Sequence, residues 1–221
     1  MRHVIMVRHG QARNNVKRML AGRMDGVPLT PEGVRQAEHA AKMLASAGVS
    51  AIYSSPIERA AETARMISEE CGVPVVVDER LTEIDMGKFT GMTFEEVVSG
   101  HDDIFAKFYG GDVEIAHKGV ETFEQVRRRV TGIMSEVVSG GGSAGGEGGA
   151  DDNDDDDNGN AVLVTHMDPI KAMLGEIAGI SPERLLHAEI ANAALNVFRK
   201  EPDGSLSLLA LNVMDASRFA A

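Results

Sequence analysis

The sequence predicts an α/β protein: a three-layer α/β/α sandwich with a mostly parallel central sheet and an antiparallel strand or hairpin near the C-terminus. Short apolar runs alternate along the chain with segments of helical periodicity. The apolar runs are continuous, which is typical of parallel strands that are buried on both faces. Two strand-like runs near the C-terminal end flank a Pro-Asp-Gly turn, and this arrangement predicts an antiparallel pair.

Six short runs of apolar or strand-forming residues are predicted to form the sheet. Strands that alternate with helices are joined by crossover connections and therefore run parallel to one another. The last two runs are separated only by a turn and therefore run antiparallel. The predicted strands are residues 4–7, 51–53, 73–77, 161–165, 194–199 and 206–211.

Two of the predicted helices lie in the first third of the chain. Thr30 is a good N-cap, and Pro31 after it suits the first helical position. Apolar residues then recur at helical spacing. A second helix is predicted to open on a capping box from Ser55 to Glu58 and to end near Gly72.

Further helix starts follow the third predicted strand. Thr93 and Thr122 each stand three residues before a Glu or Gln side chain, which is the pattern of a capping box. Asp168 precedes a proline and is predicted to cap the helix after the fourth strand. A second role for Asp168 stays open, because its carboxylate could also repel a bound phosphate or orient an imidazole.

The composition suits a single domain over residues 1–221, of which 43% are hydrophobic. The one cysteine, Cys71, excludes an internal disulfide and fits a reducing, cytoplasmic location. No basic region followed by an apolar stretch begins the chain, so no signal peptide is expected. No apolar run approaches the length of a membrane span, so no membrane association is expected.

Much of the net charge of −12 is concentrated in one segment, residues 140–160, which holds six Asp, one Glu and no Lys or Arg. The rest of the chain therefore carries only −5, and neither nucleic acid nor an anionic membrane is expected as a partner. Glycines and like charges predict that the segment is a flexible insertion loop. A calcium site is the alternative, although the acidic residues lack the ordered spacing of known calcium loops.

Candidate functional residues follow three of the predicted strands. Arg8 and His9 end the first strand, Arg59 comes shortly after the second, and His166 directly follows the fourth. The carboxyl ends of parallel strands meet at one edge of the sheet, where ligands bind. Arginine forks suit phosphate oxygens, and histidine can act as a nucleophile, an acid–base group or a donor. These four residues therefore predict a site that binds and transfers a phosphoryl group.

A structural interpretation competes with this one for each residue taken singly. A histidine at a strand end is often a buried structural residue, and an arginine there often forms a surface salt bridge. The joint occurrence of such residues at three strand ends favours the functional interpretation.

Four sequence blocks, in order along the chain, resemble the histidine phosphatase superfamily, the phosphoglycerate mutase-like proteins. The first reads V-R-H-G-Q-x-x-x-N and continues as G-x-x-D-x-x-P-L-T-x-x-G-x-x-Q-A. The second is Y-S-S-P-x-x-R-A-x-x-T-A, the third L-x-E-I-x-x-G-x-x-x-G and the fourth V-T-H. These blocks begin at residues 7, 22, 53, 81 and 164, the first of them being in two parts.

The resemblance implies a role for each matching residue. His9 would be the nucleophile that accepts the phosphoryl group. Arg8, Arg59 and His166 would hold its oxygens. Glu83 would protonate the leaving oxygen and later help to activate water, a scheme that requires neither a metal nor a cofactor.

The resemblance also extends to the binding of the phosphate. Asn15 would assist the two arginines, and Gly22 and the N–H of Met167 are further candidate phosphate-binding groups. The sequence departs from the family pattern at Ala12, where Ser or Thr is usual, and at Phe89, where Trp is common. Met167 and the residue after it stand where the family often has glycine.

The third block favours the phosphatase branch of the family. Mutases usually carry an R-H-Y-G-x-L-x-G stretch around the acidic residue, whereas residues 82–91 read T-E-I-D-M-G-K-F-T-G. Residues 119–122 resemble the G-E-S stretch of the phosphatases. The expected function is hydrolysis of small-molecule phosphate monoesters through a phosphohistidine.

Three alternatives remain. They are a phosphoglycerate mutase, a non-catalytic module that binds a phospholigand, and a metallohydrolase built on His166 and Asp168. The sequence does not indicate an oligomeric state or a particular substrate.

Overall fold

The computed structural model describes residues 3–100, 103–140 and 159–215, and its centre is a mixed six-stranded sheet. The strand order is β3-β2-β4-β1-β5-β6. The first four strands run parallel, whereas β5 pairs antiparallel with β1 and β6 pairs antiparallel with β5. The strands are β1 His3–Arg8, β2 Val49–Ser54, β3 Val75–Val77, β4 Asn160–Thr165, β5 Leu195–Lys200 and β6 Leu206–Val213.

Helices cover both faces of the sheet, as the sequence predicts. The α-helices are α1 Arg13–Val16, α2 Pro31–Leu44, α3 Glu58–Cys71, α4 Phe94–Gly100, α5 Ile104–Gly110, α6 Phe123–Val138, α7 Met167–Ala178 and α8 Pro182–His187. Short 3-10 helices lie at Glu79–Leu81, Gly87–Phe89 and Val113–Lys118. None of the helices in the described ranges is long and apolar enough to cross a membrane.

Alternate residues of β1 enter two separate cores. Val4 and Met6 pack in the core that contains the apolar faces of α5, α6 and α7. Ile5 and Val7 pack on the other side, against α2 and α3. A strand whose successive side chains are all buried in this way must be apolar throughout, which explains the continuous apolar runs of the sequence. The predicted fold class is confirmed.

Three of the predicted N-caps form as expected. The hydroxyl of Thr30 accepts a hydrogen bond from the backbone N–H of Gly33, 3.0 Å away. Thr93 and Thr122 each complete a reciprocal capping box with the Glu or Gln three residues later. Gly72 ends α3 in the left-handed conformation, also as predicted.

The capping box predicted at Ser55 is wrong. Helix α3 begins at Glu58 with Ile57 in the N-cap position, where no side-chain hydrogen bond is made. The Ser55 hydroxyl instead accepts a hydrogen bond from the N–H of Ile57 at 3.2 Å, which closes a tight turn before the helix. It also lies 2.9 Å from His166 Nε2. A tertiary contact thus holds the side chain that the local pattern assigned to capping.

The prediction that Asp168 caps a helix is also wrong. Helix α7 begins two residues earlier than this cap implies, at Met167, with His166 in the N-cap position. Asp168 is buried in the first turn, and its carboxylate accepts a hydrogen bond from the hydroxyl of Tyr109. The helix starts early because β4 runs directly into it, so the carboxylate turns towards the interior rather than towards the helix end.

The predicted insertion loop at 140–160 falls largely on residues 141–158, which lie outside the described residues. The prediction of a flexible loop therefore stays a prediction. The flanking elements are α6, which ends at Val138, and β4, which begins at Asn160. The Asn160 side chain accepts from the N–H of His3 at 2.8 Å and donates to the carbonyl of Ala47 at 2.6 Å. It therefore anchors the start of β4 between two neighbouring segments.

The loop after β1 packs against the start of α2 at van der Waals distance. A Cβ atom added to Gly33 would lie 1.9 Å from the carbonyl oxygen of Gln11, and one added to Gly10 would lie 2.3 Å from the carbonyl oxygen of Gly33. Neither neighbour is a flexible side chain, so only glycine allows the two backbones to approach this closely. This contact supports the loop that carries His9.

We expect Gly33→Ala to destabilise the protein by about 1–3 kcal/mol, because the added methyl group would force backbone apart in a packed region. Gly132→Ala is the matched control: this glycine is exposed inside α6, and a Cβ there has no neighbour within 4 Å. The control should stabilise the protein by about 0.5–1 kcal/mol. Urea unfolding of both variants measures the difference, and equal effects would contradict the close approach.

Candidate active site

The carboxyl ends of β1, β2 and β4 are held together by backbone hydrogen bonds. The N–H of His9 donates to the carbonyl of Thr165 at 2.9 Å, and the N–H of Ser55 donates to the carbonyl of Val164 at 3.0 Å. These bonds continue the ladder beyond the last paired strand residues. As a result the rings of His9 and His166 stand edge to face, with 5.1 Å between their centroids.

A cleft opens above these strand ends. It brings together most of the site residues that the sequence predicts. His166 is fully buried beside His9. The predicted residues that line the cleft are Arg8, His9, Asn15, Gly22, Arg59, Glu83 and Met167.

His9 is held in one orientation by two hydrogen bonds. Its Nδ1 lies 2.7 Å from the carbonyl oxygen of Gly10, so Nδ1 carries the hydrogen and donates it. Nε2 is then left with a lone pair, which accepts a hydrogen bond from Nε of Arg59 at 3.2 Å. Burial lowers the pKa of His9 well below its ordinary value, and the charges of Arg8 and Arg59 lower it further. The ring is therefore neutral and nucleophilic at Nε2.

Two arginines beside His9 each have an N–H donor that makes no hydrogen bond among the described residues. Arg59 Nη2 donates to the carbonyl of Gly22 at 2.7 Å, and Arg8 Nη1 donates to the carbonyl of Ile190 at 2.5 Å. Arg59 Nη1 and Arg8 Nε are buried without a hydrogen-bond partner among the described residues. A buried donor without a partner costs free energy. Phosphate oxygens are acceptors that match the guanidinium fork, so these donors suit a phosphoryl group.

His166 combines a donor with the end of a helix. Its Nε2 lies 2.9 Å from the Ser55 hydroxyl, and its Nδ1 is buried without a partner in the described part of the chain. Burial lowers the pKa of His166 well below its ordinary value, and the charge of Arg59 adds to this effect. In the tautomer in which the Ser55 hydroxyl donates to Nε2, the neutral ring carries its hydrogen on Nδ1 and can donate it to an anion. The N-terminus of α7 begins at the next residue and favours an anion.

Glu83 reaches the cleft from the loop after the 3-10 helix Glu79–Leu81. Its carboxylate accepts hydrogen bonds from the backbone N–H groups of Ile84 at 3.0 Å and of Met167 and Asp168 at 3.3 Å each. Burial raises the pKa of Glu83 to about 7, and the neighbouring Asp168 carboxylate contributes to the rise. Near neutral pH this group can therefore both donate and accept a proton, as a general acid and base must.

The remaining predicted residues have partners within the site. Asn15 Oδ1 accepts from the N–H of Ala12 at 2.8 Å, and the Gly22 carbonyl holds Arg59. The N–H of Met167 donates to Glu83. All three predicted residues line the cleft, and their roles in binding phosphate stay predictions.

The loop that carries Glu83 is clamped by an ion pair that sequence reasoning did not identify. Arg129 Nη1 donates to the carbonyl of Thr82 at 2.6 Å, and its Nε pairs with Glu121 at 2.8 Å. Glu121 in turn accepts from the N–H of Asp85 at 3.3 Å. These contacts therefore fix the backbone on both sides of Glu83. The resemblance of residues 119–122 to the G-E-S stretch was the signal that could have led to Glu121.

The metallohydrolase alternative rests on a pair of side chains that have different partners. His166 contacts Ser55, whereas Asp168 accepts from Tyr109. Among residues 3–100, 103–140 and 159–215 there is no group of three or more His, Cys, Asp or Glu side chains that could hold a metal ion.

Comparison with known proteins gives consistent matches over the whole domain. A family model described as histidine phosphatase superfamily (branch 1) matches residues 4–213. The chain is 31% identical over 218 residues to a 2,3-bisphosphoglycerate-dependent phosphoglycerate mutase of Thermoplasma acidophilum, covering 99% of this chain and 97% of the relative. It is 28% identical over 210 residues to phosphoserine phosphatase 1 of Hydrogenobacter thermophilus, covering 95% and 92% of the two chains.

A solved structure supports the same assignment. Mycobacterial glucosyl-3-phosphoglycerate phosphatase in complex with VO3 superposes with a TM-score of 0.80 at 27% identity, over 96% of this chain and all of the other. The resemblance noted in the four sequence blocks is thereby confirmed. The family match, the similar fold and the histidines and arginines at the strand ends agree: this chain belongs to the histidine phosphatase superfamily, branch 1.

Proposed function

We propose that this protein is a phosphatase that hydrolyses small-molecule phosphate monoesters through a phosphohistidine at His9. The observation that carries the proposal is the orientation of the His9 ring. The Gly10 carbonyl engages Nδ1, and Nε2 keeps its lone pair next to Arg59. Relatives named as phosphoserine phosphatase and glucosyl-3-phosphoglycerate phosphatase support the reaction class.

In the first step, Nε2 of His9 attacks phosphorus, and the bond between phosphorus and the substrate oxygen breaks. That oxygen takes the proton of Glu83 and leaves as an alcohol. Arg8, Arg59 and His166 donate to the three equatorial oxygens of the phosphoryl group, where charge is spread in the transition state. Glu83 is left as a carboxylate.

In the second step, a water molecule attacks phosphorus and gives its proton to the Glu83 carboxylate. The bond between phosphorus and Nε2 breaks, and its electron pair returns to His9. Inorganic phosphate is released with Glu83 protonated again, so the cycle closes. A carboxyl pKa of about 7 suits both halves of this exchange.

The setting of the reaction belongs to the same proposal. The substrate is a small phosphorylated molecule, the scheme uses no metal or cofactor, and nucleic acid and membranes are not partners. A cytoplasmic location rests on the single cysteine, Cys71.

Phosphoglycerate mutase is the second candidate, because the Thermoplasma acidophilum relative carries that name. A mutase must keep its product bound and return the phosphoryl group to it. Residues 82–91 lack the R-H-Y-G-x-L-x-G stretch that is usual in mutases, and this favours hydrolysis.

A panel of phosphate monoesters, with isomerisation of 3-phosphoglycerate measured beside it, tests the choice between these functions. We expect release of inorganic phosphate from several small monoesters and little isomerisation. Faster isomerisation than hydrolysis would identify a mutase. Binding of phosphorylated ligands without turnover of any of them would identify a non-catalytic module.

His9→Ala should abolish turnover, because no other group in the scheme can accept the phosphoryl group. Wild-type enzyme quenched in denaturant during turnover of ³²P-labelled substrate should carry acid-labile label, and the variant should carry none. Circular dichroism controls for folding. Full activity in a folded His9→Ala variant would refute the phosphohistidine mechanism.

Glu83→Gln should separate substrates according to their leaving groups. Glutamine preserves the shape but has no carboxyl proton, and general acid–base catalysis typically contributes about 10²–10⁴-fold. We expect a loss in kcat of that size with an alkyl phosphate and a much smaller loss with p-nitrophenyl phosphate, whose leaving group needs little protonation. Equal losses with both substrates would show that Glu83 only shapes the cleft.

A further inference from the structure

Three buried polar side chains, one of them at the wall of the cleft, have no part in the phosphoryl transfer described above. Lys171 Nζ donates to the hydroxyl oxygen of Tyr109 at 3.1 Å, and that hydroxyl donates to Oδ1 of Asp168 at 2.5 Å. The exposed fractions are 3% for Lys171, 5% for Tyr109 and 7% for Asp168. Burying a charge is costly unless it has partners, so a chain of this kind in an aliphatic interior requires an explanation.

The direction of the hydrogen bonds in this chain is determined by the groups themselves. A lysine ammonium has donors and no acceptor, so the hydroxyl oxygen of Tyr109 must accept from Lys171. The Tyr109 hydrogen is then free to point at Asp168, which receives it at 2.5 Å. Donation to a carboxylate favours its ionised form, and the nearby positive charge of Lys171 acts in the same direction.

The backbone at the start of α7, next to the Asp168 side chain, contacts Glu83. The N–H groups of Met167 and Asp168 both donate to the Glu83 carboxylate at 3.3 Å. Both carboxyl groups are buried at the same cleft, and the Asp168 charge raises the pKa of Glu83, because two neighbouring buried carboxyl groups do not readily ionise together. At neutral pH the pair retains a proton, and the partners of each member decide which one holds it.

We propose that Asp168 is a positioning residue, held ionised by Tyr109 and Lys171, that keeps the proton of this buried carboxyl pair on Glu83. The proposal rests on the proposed function, in which Glu83 must be protonated when the leaving group departs. Asp168 then acts on the reaction without touching the substrate.

The charged groups around the pair oppose one another. Arg8 at the end of β1 and Arg59 on α3 both lower the pKa of Glu83, whereas burial and Asp168 raise it. Burial also raises the pKa of Asp168 above its ordinary value, and Lys171 and the Tyr109 hydroxyl limit that rise without cancelling it.

Two arginines complete the surroundings of Asp168, and the first of them, Arg8, lowers its pKa. Arg129, on α6, also lowers the pKa of Asp168. A bound phosphate would offset the charges of the two arginines beside Glu83, so that burial, the phosphate and the Asp168 carboxylate would all favour the protonated form of Glu83.

Asp168→Asn tests the proposal through the pH dependence of kcat/KM with an alkyl phosphate. Activity that needs protonated Glu83 is lost as pH rises through the pKa of that group. Removing the like charge lowers this pKa, so the alkaline limb should move to lower pH by about one unit or more. At pH values above this limb, each further pH unit lowers kcat/KM tenfold. With p-nitrophenyl phosphate, the loss of activity at alkaline pH should be weak in both the native protein and Asp168→Asn.

A titration of the unliganded protein tests the same point without catalysis. Carbon-13 NMR of chain labelled at the glutamate carboxyl carbon reports each Glu separately, and the Glu83 signal is identified by its loss in Glu83→Gln. The Glu83 midpoint, about 7 in the native chain, should fall in Asp168→Asn. It should also fall in Tyr109→Phe, which removes the donor to Asp168 without changing any charge.

Phe123→Leu is the matched control for packing. The ring of Phe123 lies 5.2 Å from that of Tyr109, centroid to centroid, and takes no part in the hydrogen-bonded chain. This variant should lose stability and leave the Glu83 midpoint unchanged. If Asp168→Asn fails to fold, Tyr109→Phe carries the test.

An unchanged Glu83 midpoint in both Asp168→Asn and Tyr109→Phe would overturn the proposal. So would a fall of the same size in Phe123→Leu, because the effect would then follow from packing. Failure of the proposed function would look different: no phosphate ester would be turned over by the native chain, while the titration would still report on Glu83.

Discussion

The site depends on the parallel hydrogen-bonded ladder between β1 and β4. Its register pairs Arg8 with Thr165, so the next residues, His9 and His166, emerge at the same height. A slip by one residue would turn every side chain of β1 to the opposite face of the sheet. Such a slip is prevented by the two cores, which hold alternate residues of the strand. The packing that stabilises the sheet therefore also sets the distance between the two histidines.

The electrostatics of the cleft keep two titratable groups in opposite protonation states. Burial and the arginine charges lower the pKa of His9, so the proposed nucleophile is unprotonated. Burial and Asp168 raise the pKa of Glu83 to about 7, so the acid can hold a proton at neutral pH. Environments that push two pKa values apart are a recurrent way to obtain a base and an acid from ordinary side chains. Here the same cleft provides both environments within a short distance.

Sequence reasoning succeeded where a short stretch of chain contains the whole cause. Thr30 and Thr122 cap their helices because the partner N–H is only three residues away. It failed at Ser55 and Asp168, which fit a capping pattern equally well. At these two positions a tertiary partner competes for the side chain, the His166 ring in one case and the Tyr109 hydroxyl in the other. Propensity is a weak preference that such contacts override.

The sequence by itself determined which segments form the mostly parallel sheet and which four residues lie at its edge, because apolar periodicity and strand-end position are local properties. It also pointed to Glu83, through a family resemblance rather than through a pattern with a physical cause. Only the tertiary structure decided the orientation and the protonation state of these side chains. The Gly10 carbonyl selects the nucleophilic nitrogen of His9, and Tyr109 lies 59 residues before the carboxylate that it holds. Protonation depends on burial and on neighbours that are distant in sequence, and those exist only once the chain has folded.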